Sequence, residues 1–323
     1  MNNTKLILKS EQANLKTRFM LFLDKMWRQK TLLLMSLPFL IWVVIFRYLP
    51  IGGWILAFQN YRPALPLTEQ TWVGLENFRQ LFQDDMFLLT LRNSFVINII
   101  RLVFGMFFSI LLALVLNEVR RLTFKKIAQT ISYLPYFISW VVAATLVRNA
   151  LSTEGGIVND ILLRLNLIES PVMFLGIPEL FWWIIGATHV WKTIGFGAIV
   201  YLAAITGINP ELYEAARIDG AGRLRQIWHI TLPGIKPVIV ILLIMNMGWL
   251  LQSFEGFEQV YLLQSGRVME YSRIFQIFEL EYGIRMFRYS FATAVGIFRS
   301  VVSIVLVFSA NYIAKKLGQE RLV

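Results

Sequence analysis

The chain has 323 residues, 57% hydrophobic and 14% aromatic, with only 16% charged and no cysteine. Soluble domains carry about a quarter charged residues, so this composition indicates a polytopic membrane protein; the absence of cysteine excludes disulfide scaffolds, thiol catalysis and cysteine metal sites. The formal charge of +11 suits nucleic acid or an acidic ligand only if its distribution has no other cause.

Residues 1–30 are polar and basic, carrying Lys5, Lys9, Lys16, Arg18, Lys25, Arg28 and Lys30. An apolar run covers 31–58, interrupted by Arg47. The long basic region, with no A-x-A-like site after the run, argues for a retained first span behind a cytoplasmic tail rather than a cleaved signal peptide. Residues 59–89 form a polar outer loop in which GLENFRQLF, from Gly74 to Phe82, predicts a short interfacial helix. Five more spans are predicted near 94–116, 127–146, 180–205, 235–263 and 291–313, each close to the roughly 20 apolar residues that cross a bilayer. A second outer loop occupies 147–178, and residues 316–323 form a C-terminal tail. The pattern is all-α: a first span, then a five-helix core over 90–315, with no internal repeat and no visibly interrupted helix.

Of the 31 lysines and arginines, 18 fall in segments on the side of the N-terminus. By the positive-inside rule that side is cytoplasmic. The asymmetry accounts for much of the net charge, and no nucleic-acid partner is implied.

The longest polar interruption of the core lies on this side, at 206–234. Asn209 is a good N-cap and Pro210 suits a first helical position. Helix formers run from Glu211 to Ile218, and Gly220 stands where a helix stop belongs. A second short helix is predicted from Arg223 to His229, ending at Leu232-Pro233. The first helix can present Leu212, Ala215, Ala216 and Ile218 as a shallow apolar surface edged by Glu211, Glu214 and Arg217. Glu214 could pair with a partner's arginine. On periodicity alone, an ordinary interfacial amphipathic helix fits as well.

The spacing decides otherwise. Glu214-Ala215-Ala216, three residues, Gly220, nine residues and Ile230-Thr231-Leu232-Pro233 reproduce E-A-A-x3-G-x9-I-x-L-P. This closely resembles the EAA loop of ABC importer permeases that work with a solute-binding protein. The stretch from Arg217 to Pro237 looks like the carbohydrate-uptake branch of that superfamily. FRYLPIGGWILAFQNY at 46–61, GLENFRQLF, FEGFEQVYLL at 254–263 and the sequence at 289–318 look like its polysaccharide or oligosaccharide subgroup.

The resemblance implies a six-span, type I ABC importer permease fold in a bacterial cytoplasmic membrane, with both termini in the cytoplasm. Glu214, Ala215, Ala216, Arg217, Asp219, Gly220, Leu232 and Pro233 would form the coupling element that docks on an ATP-hydrolysing subunit. The chain has no G-x4-G-K-[ST] phosphate loop. It is therefore expected to be a transport subunit and no enzyme, binding no cofactor itself, with ATP and Mg held by the partner ATPase. Further implied partners are a second homologous permease, an extracytoplasmic solute-binding protein, membrane lipid and an oligosaccharide.

For the substrate path, ionisable residues within spans are costly and usually face a cavity. Arg101, His189, Lys192, Glu255, Glu258 and Arg299 qualify. Glu255 and Glu258 share one helical face with Phe254 and Phe257 between them, the acid-and-ring chemistry that suits sugars. Asn246, Trp249, Gln252 and Ser253 precede them on the same predicted helix. Pairing of the acids with Arg299 or with a second permease fits equally well, and His189 with Lys192 reads first as a helix-packing or lipid-interface pair. The acids Glu154, Asp160, Glu270, Glu279 and Glu281 read as solvated loop residues. Arg267, Arg273, Arg285 and Arg288 hint at an acidic, uronate-containing oligosaccharide, or equally at contacts with the binding protein or phospholipid headgroups. Two rivals stand beside the importer: an ion-coupled secondary sugar carrier, which would have repeats and interrupted helices, and a membrane-embedded carbohydrate enzyme, for which no catalytic spacing exists.

Overall fold

The computed structural model describes Met20 and residues 27–316, with the Phe254 side chain excepted. The basic residues Lys5, Lys9, Lys16, Arg18 and Lys25, and the C-terminal tail beyond Lys316, lie outside the described residues. The chain divides into two units, Met1–Ile55 and Leu56–Val323. In the first, α1 (Lys30–Val43) contains Pro38 and continues through a π-type turn, Val44–Tyr48. The apolar run, Lys30–Phe58, is 29 residues long, enough to cross a bilayer.

The second unit opens on a two-residue antiparallel ribbon, β1 (Gln59–Asn60) with β2 (Thr71–Trp72), Gln59 opposite Trp72. The buried Gln70 side chain closes the loop between them, donating to the Leu65 carbonyl at 2.7 Å and accepting from the Arg62 amide at 2.7 Å. The predicted interfacial helix forms as α2 (Glu76–Gln83). Then α3 (Asp85–Glu118) runs 34 residues, capped by the Asp84 carboxylate on the Met86 amide at 2.8 Å.

The third predicted span is not straight. It splits into α4 (Leu122–Tyr133) with a 3-10 turn to Phe137, and α5 (Trp140–Ala150), bent by 103°. Pro135 cannot continue the hydrogen-bond ladder, and Ser139 starts the new helix by accepting from the Val142 amide at 3.3 Å. After α6 (Ile157–Arg164), α7 (Pro178–Thr206) crosses in one piece. It packs along α3 through small residues, with Gly186 against Ile100 and Gly197 against Ser109, the usual way to bring membrane helices close.

The hairpin helix α8 (Pro210–Ile218) follows, then a helix that contradicts the predicted stop. α9 (Arg223–Gln226) passes through a π-type turn, Ile227–Thr231, into α10 (Leu232–Trp249) without a break, so Arg223–Trp249 is one 27-residue span. Pro233 sits in the first turn of α10; the wider turn before it absorbs the amide that proline lacks.

The fifth predicted span is interrupted as well. α10 ends at Trp249, residues 250–253 leave the helix, and α11 (Phe254–Leu263) restarts on Ser253, which accepts from the Gly256 amide at 3.1 Å. Two of the freed carbonyls are satisfied from a distance: Gln276 Nε2 donates to Leu251 at 3.1 Å and to Ser253 at 3.4 Å. Such repayment is what permits non-helical backbone at membrane depth. α12 (Phe275–Glu279) and α13 (Tyr289–Lys316) complete the unit. One core packs α3, α12 and α13 around Phe87, Phe275, Phe278 and Phe291; another joins α7 and α11 around Phe181, Ile185, Val260 and Leu263.

Candidate functional site

Two features stand apart from the packed helices. The first is the hairpin. Asn209 caps α8, its side chain accepting from the Glu211 amide at 3.0 Å. Gly220 has φ +74°, a backbone conformation that costs other residues about 1–2 kcal/mol. Nothing in α8 is buried: Glu214, Ala215, Arg217 and Asp219 are exposed and Ala216 partly so. Ile218 is 87% exposed, and Leu212, Leu224 and Trp228 are open as well, so the apolar surface is broader than the first helix alone suggests. Polar contacts hold it. The Tyr213 hydroxyl lies 3.0 Å from that of Thr231, which is buried at the head of α10. Arg223 meets Glu118 at the end of α3 at 3.6 Å. Leu232 and Pro233 are on the continuous helix that joins this hairpin to the membrane interior.

The second is a cavity of about 380 Å³ where both interrupted spans break. Of the residues predicted for the substrate path, Asn246, Trp249, Ser253 and Glu255 line it; Gln252, Phe257 and Glu258 do not. These seven do not share one helix, because the break lies between Trp249 and Phe254. Gln252 and Ser253 are in the break itself, while Phe257 stacks on Tyr261 at 5.3 Å. α3 and α7 supply Arg101 and His189, and the break in the third span supplies Tyr136. Tyr136 was not legible in the sequence; its neighbour Pro135 was the available signal of a bend there.

The Tyr136 ring stacks on Phe196 at 4.1 Å and 4°. Lys192 holds that break rather than pairing with His189. Its ammonium donates to the Tyr136 carbonyl at 2.9 Å and sits 5.3 Å from the rings of both Tyr136 and Trp140. The two helices that follow the breaks, α5 and α11, pack on each other, and Arg148 donates to the Leu262 carbonyl between them. The fully buried Gln259 ties α11 to α7, donating to the Ile185 carbonyl and the Thr188 hydroxyl at 2.7 Å each.

Several polar assignments change. Arg299 pairs with Glu279 at 3.4 Å, and neither Glu255 nor Glu258 is its partner. Glu279, outside the membrane-spanning helices, is no solvated loop acid: burial pushes its carboxyl up to about 7, and the Arg299 guanidinium only partly offsets this. Glu281 likewise pairs with Arg273 at 3.1 Å. Arg285 donates to the Tyr261 hydroxyl at 3.2 Å, and Arg288 lies 4.2 Å from the Phe291 ring. Of the four arginines that hinted at an acidic ligand, Arg273, Arg285 and Arg288 thus have partners within the chain, and Arg267 reaches the Met173 sulfur at 3.5 Å. Among the described residues, no cluster of His, Cys, Asp and Glu could hold a metal ion.

Residues 105–319 match the family model for the binding-protein-dependent transport system inner membrane component. The polygalacturonan/rhamnogalacturonan transport system permease protein YteP of Bacillus subtilis (strain 168) is 43% identical over 92% of this chain and 92% of its own. The trehalose/maltose transport system permease protein MalF of Thermococcus litoralis is 30% identical over 89% of this chain and 93% of its own. Among solved structures, a chain of the bacterial alginate ABC transporter in complex with alginate pentasaccharide-bound periplasmic protein is 39% identical, with a TM-score of 0.85, covering 93% of this chain and 99% of that one.

Proposed function

This chain belongs to the binding-protein-dependent transport system inner membrane component family, as the permease component of an ABC importer for oligosaccharides, and we propose how it is driven. Its substrate is an oligosaccharide derived from a polysaccharide. A solute-binding protein delivers the sugar from outside, a second homologous permease completes the path, and ATP with Mg is bound and hydrolysed on separate nucleotide-binding subunits. The N- and C-termini lie in the cytoplasm.

The observation that carries this reading is the join between hairpin and cavity. α8 presents an unburied apolar surface with Glu214 at its edge, and it is clamped through Tyr213 to the head of a helix that reaches the cavity wall at Asn246 and Trp249 without interruption. A push on the hairpin by a partner is therefore a push on the cavity. Docking of α8 in a groove of the ATPase would move α10, open the cavity outward when ATP draws the nucleotide-binding subunits together, and reset it on hydrolysis. Asn246, Trp249, Ser253 and Glu255 offer hydroxyl-binding groups and a ring on which a sugar face can stack.

The test uses the assembled transporter. Glu214→Ala, which removes the charge, and Gly220→Leu, which strains the turn, should each leave membrane insertion intact. Both should abolish stimulation of ATP hydrolysis by loaded binding protein. Normal stimulation in either variant would overturn the coupling role.

A further inference from the structure

A second cavity, of about 770 Å³, lies between α3, α4 and α7. Phe104, Phe108 and Leu112 recur every fourth residue along its α3 wall, and Ala187 to Ile194 marks the facing length of α7. At about 1.5 Å per residue this groove runs for roughly 10–12 Å, close to the hydrocarbon depth of one leaflet, about 15 Å. α4 supplies the third wall. It meets α7 where Gly195 lies against the Ser132 carbonyl, and the chain then turns away through the 103° bend. Every lining side chain except that of Ser132 is apolar or aromatic. The groove is open at its side, where Ile131 and Leu134 are each 66% exposed.

One end of the groove is charged. α3 and α4 are joined by Val119-Arg120-Arg121, so this turn lies at the base of the cleft between them. Leu112 is six residues above the end of α3, a rise of about 9 Å. Lys125 stands seven residues before Ser132, two turns below it on the same face of α4. With Lys126, four cations gather within seven residues. Glu118, the nearest acid along the chain, is taken by Arg223 at 3.6 Å. No ion pair among the described residues engages the four cations. The positive-inside rule accounts for the side on which they lie, but not for their place at the mouth of an apolar groove. A cationic turn beneath a groove one leaflet deep complements an anionic phospholipid, phosphate below and acyl chain above. An apolar helix would fill the groove and leave the cations without a counter-charge.

We propose that this groove binds an anionic diacyl phospholipid, its phosphate on Arg121 and Lys125 and one acyl chain between α3, α4 and α7. Leu134 and Pro135 face the groove, whereas the next residue, Tyr136, faces the sugar cavity. The bent segment is therefore the wall between the two cavities, and a lipid held here rests against it. The site is independent of which sugar the transporter carries.

The test uses the assembled transporter carrying the photoreactive substitution Ile131→p-benzoylphenylalanine, in nanodiscs of equal dioleoyl phosphatidylglycerol and dioleoyl phosphatidylcholine. Photo-adducts are identified by mass spectrometry. The phosphatidylglycerol adduct should exceed the phosphatidylcholine adduct about fivefold, the scale of one basic residue at an anionic surface. Arg121→Gln together with Lys125→Gln should bring the two adducts level. Ala187→Phe, at an exposed position of the groove, fills it and leaves the cations in place. It should also level the adducts, and it decides the matter if the double variant does not assemble. Glycerophosphoglycerol, the headgroup without its chains, should leave the ratio unchanged when added in excess. Level adducts in the otherwise unaltered transporter, a preference that survives in either variant, or loss of the preference to the free headgroup would overturn the site. So would a principal adduct to a protein helix.

Discussion

The hairpin and the cavity are built by opposite rules. The hairpin is local: cap, helix, left-handed glycine and onward helix all fall within 209–226, and its ties to the rest include one hydroxyl pair and one ion pair. The cavity is assembled from two unbroken helices, α3 and α7, and two broken spans, and its polar walls are held by side chains from far along the chain. An element that must be recognised by another protein can stay exposed and simple. An element that must exist inside a bilayer has to satisfy every carbonyl it frees, and that takes partners from several helices. The difference sets where substitution hurts most.

The largest effect should come at the cavity's scaffold. Gly195 on α7 lies so close to α4 that a Cβ would overlap the Ser132 carbonyl. Gly195→Leu should cost about 3 kcal/mol or more, since the neighbour is backbone and cannot repack. It should eliminate the monodisperse, detergent-purified transporter; recovery at wild-type yield would show the broken span is not seated as described. Next, Lys192→Met leaves the Tyr136 carbonyl unpaired and removes the cation from two rings. A loss of about 2 kcal/mol is expected, read as a lowered melting temperature, whereas an unchanged midpoint would mean that the break needs no internal support.

The hairpin should tolerate more. Tyr213→Phe removes the hydroxyl pair with Thr231 and should cost about 1 kcal/mol, with a few-fold drop in stimulated ATP hydrolysis and little change in melting. A stability loss as large as that of Lys192→Met would erase the contrast between the two regions. A further effect is that of pH on Glu279. Its folded pKa, about 7, lies above its ordinary value of 4.5, so folding takes up a proton. Its contribution favours the folded state at low pH and fades as pH rises from about 4.5 to about 7. Glu279→Gln should flatten that part of the stability profile by at most a one-proton slope; an identical profile in wild type and variant would refute it.

The same contrast explains what was legible in the sequence. Asn209, Pro210, Gly220 and the E-A-A spacing are local signals, and the hairpin's first helix and its turn formed where they indicate. The Arg223–Trp249 helix runs past the predicted stop because a π-type turn at Ile227–Thr231 accommodates Pro233. The two breaks were missed because hydropathy alone does not distinguish a straight span from a bent one. Pro135 and Ser139, then Ser253, become capping points only because Lys192 and Gln276, remote in sequence, take the released carbonyls. For the same reason Asn246, Trp249, Ser253 and Glu255 line the cavity, while Gln252, Phe257 and Glu258, named on the assumption of one continuous helix, do not. The partners of Arg273, Arg285, Arg288 and Arg299 depend on tertiary contacts that spacing cannot supply.

Interrupted helices are also a property of ion-coupled carriers, so the breaks sharpen the question of what drives this permease. The most direct measurement is oligosaccharide uptake into proteoliposomes with the ion gradients collapsed by ionophores. Uptake should persist with ATP and the ATPase subunits present and cease when either is left out. Uptake that continues without the ATPase subunits, and stops when the ion gradient is removed, would contradict the account.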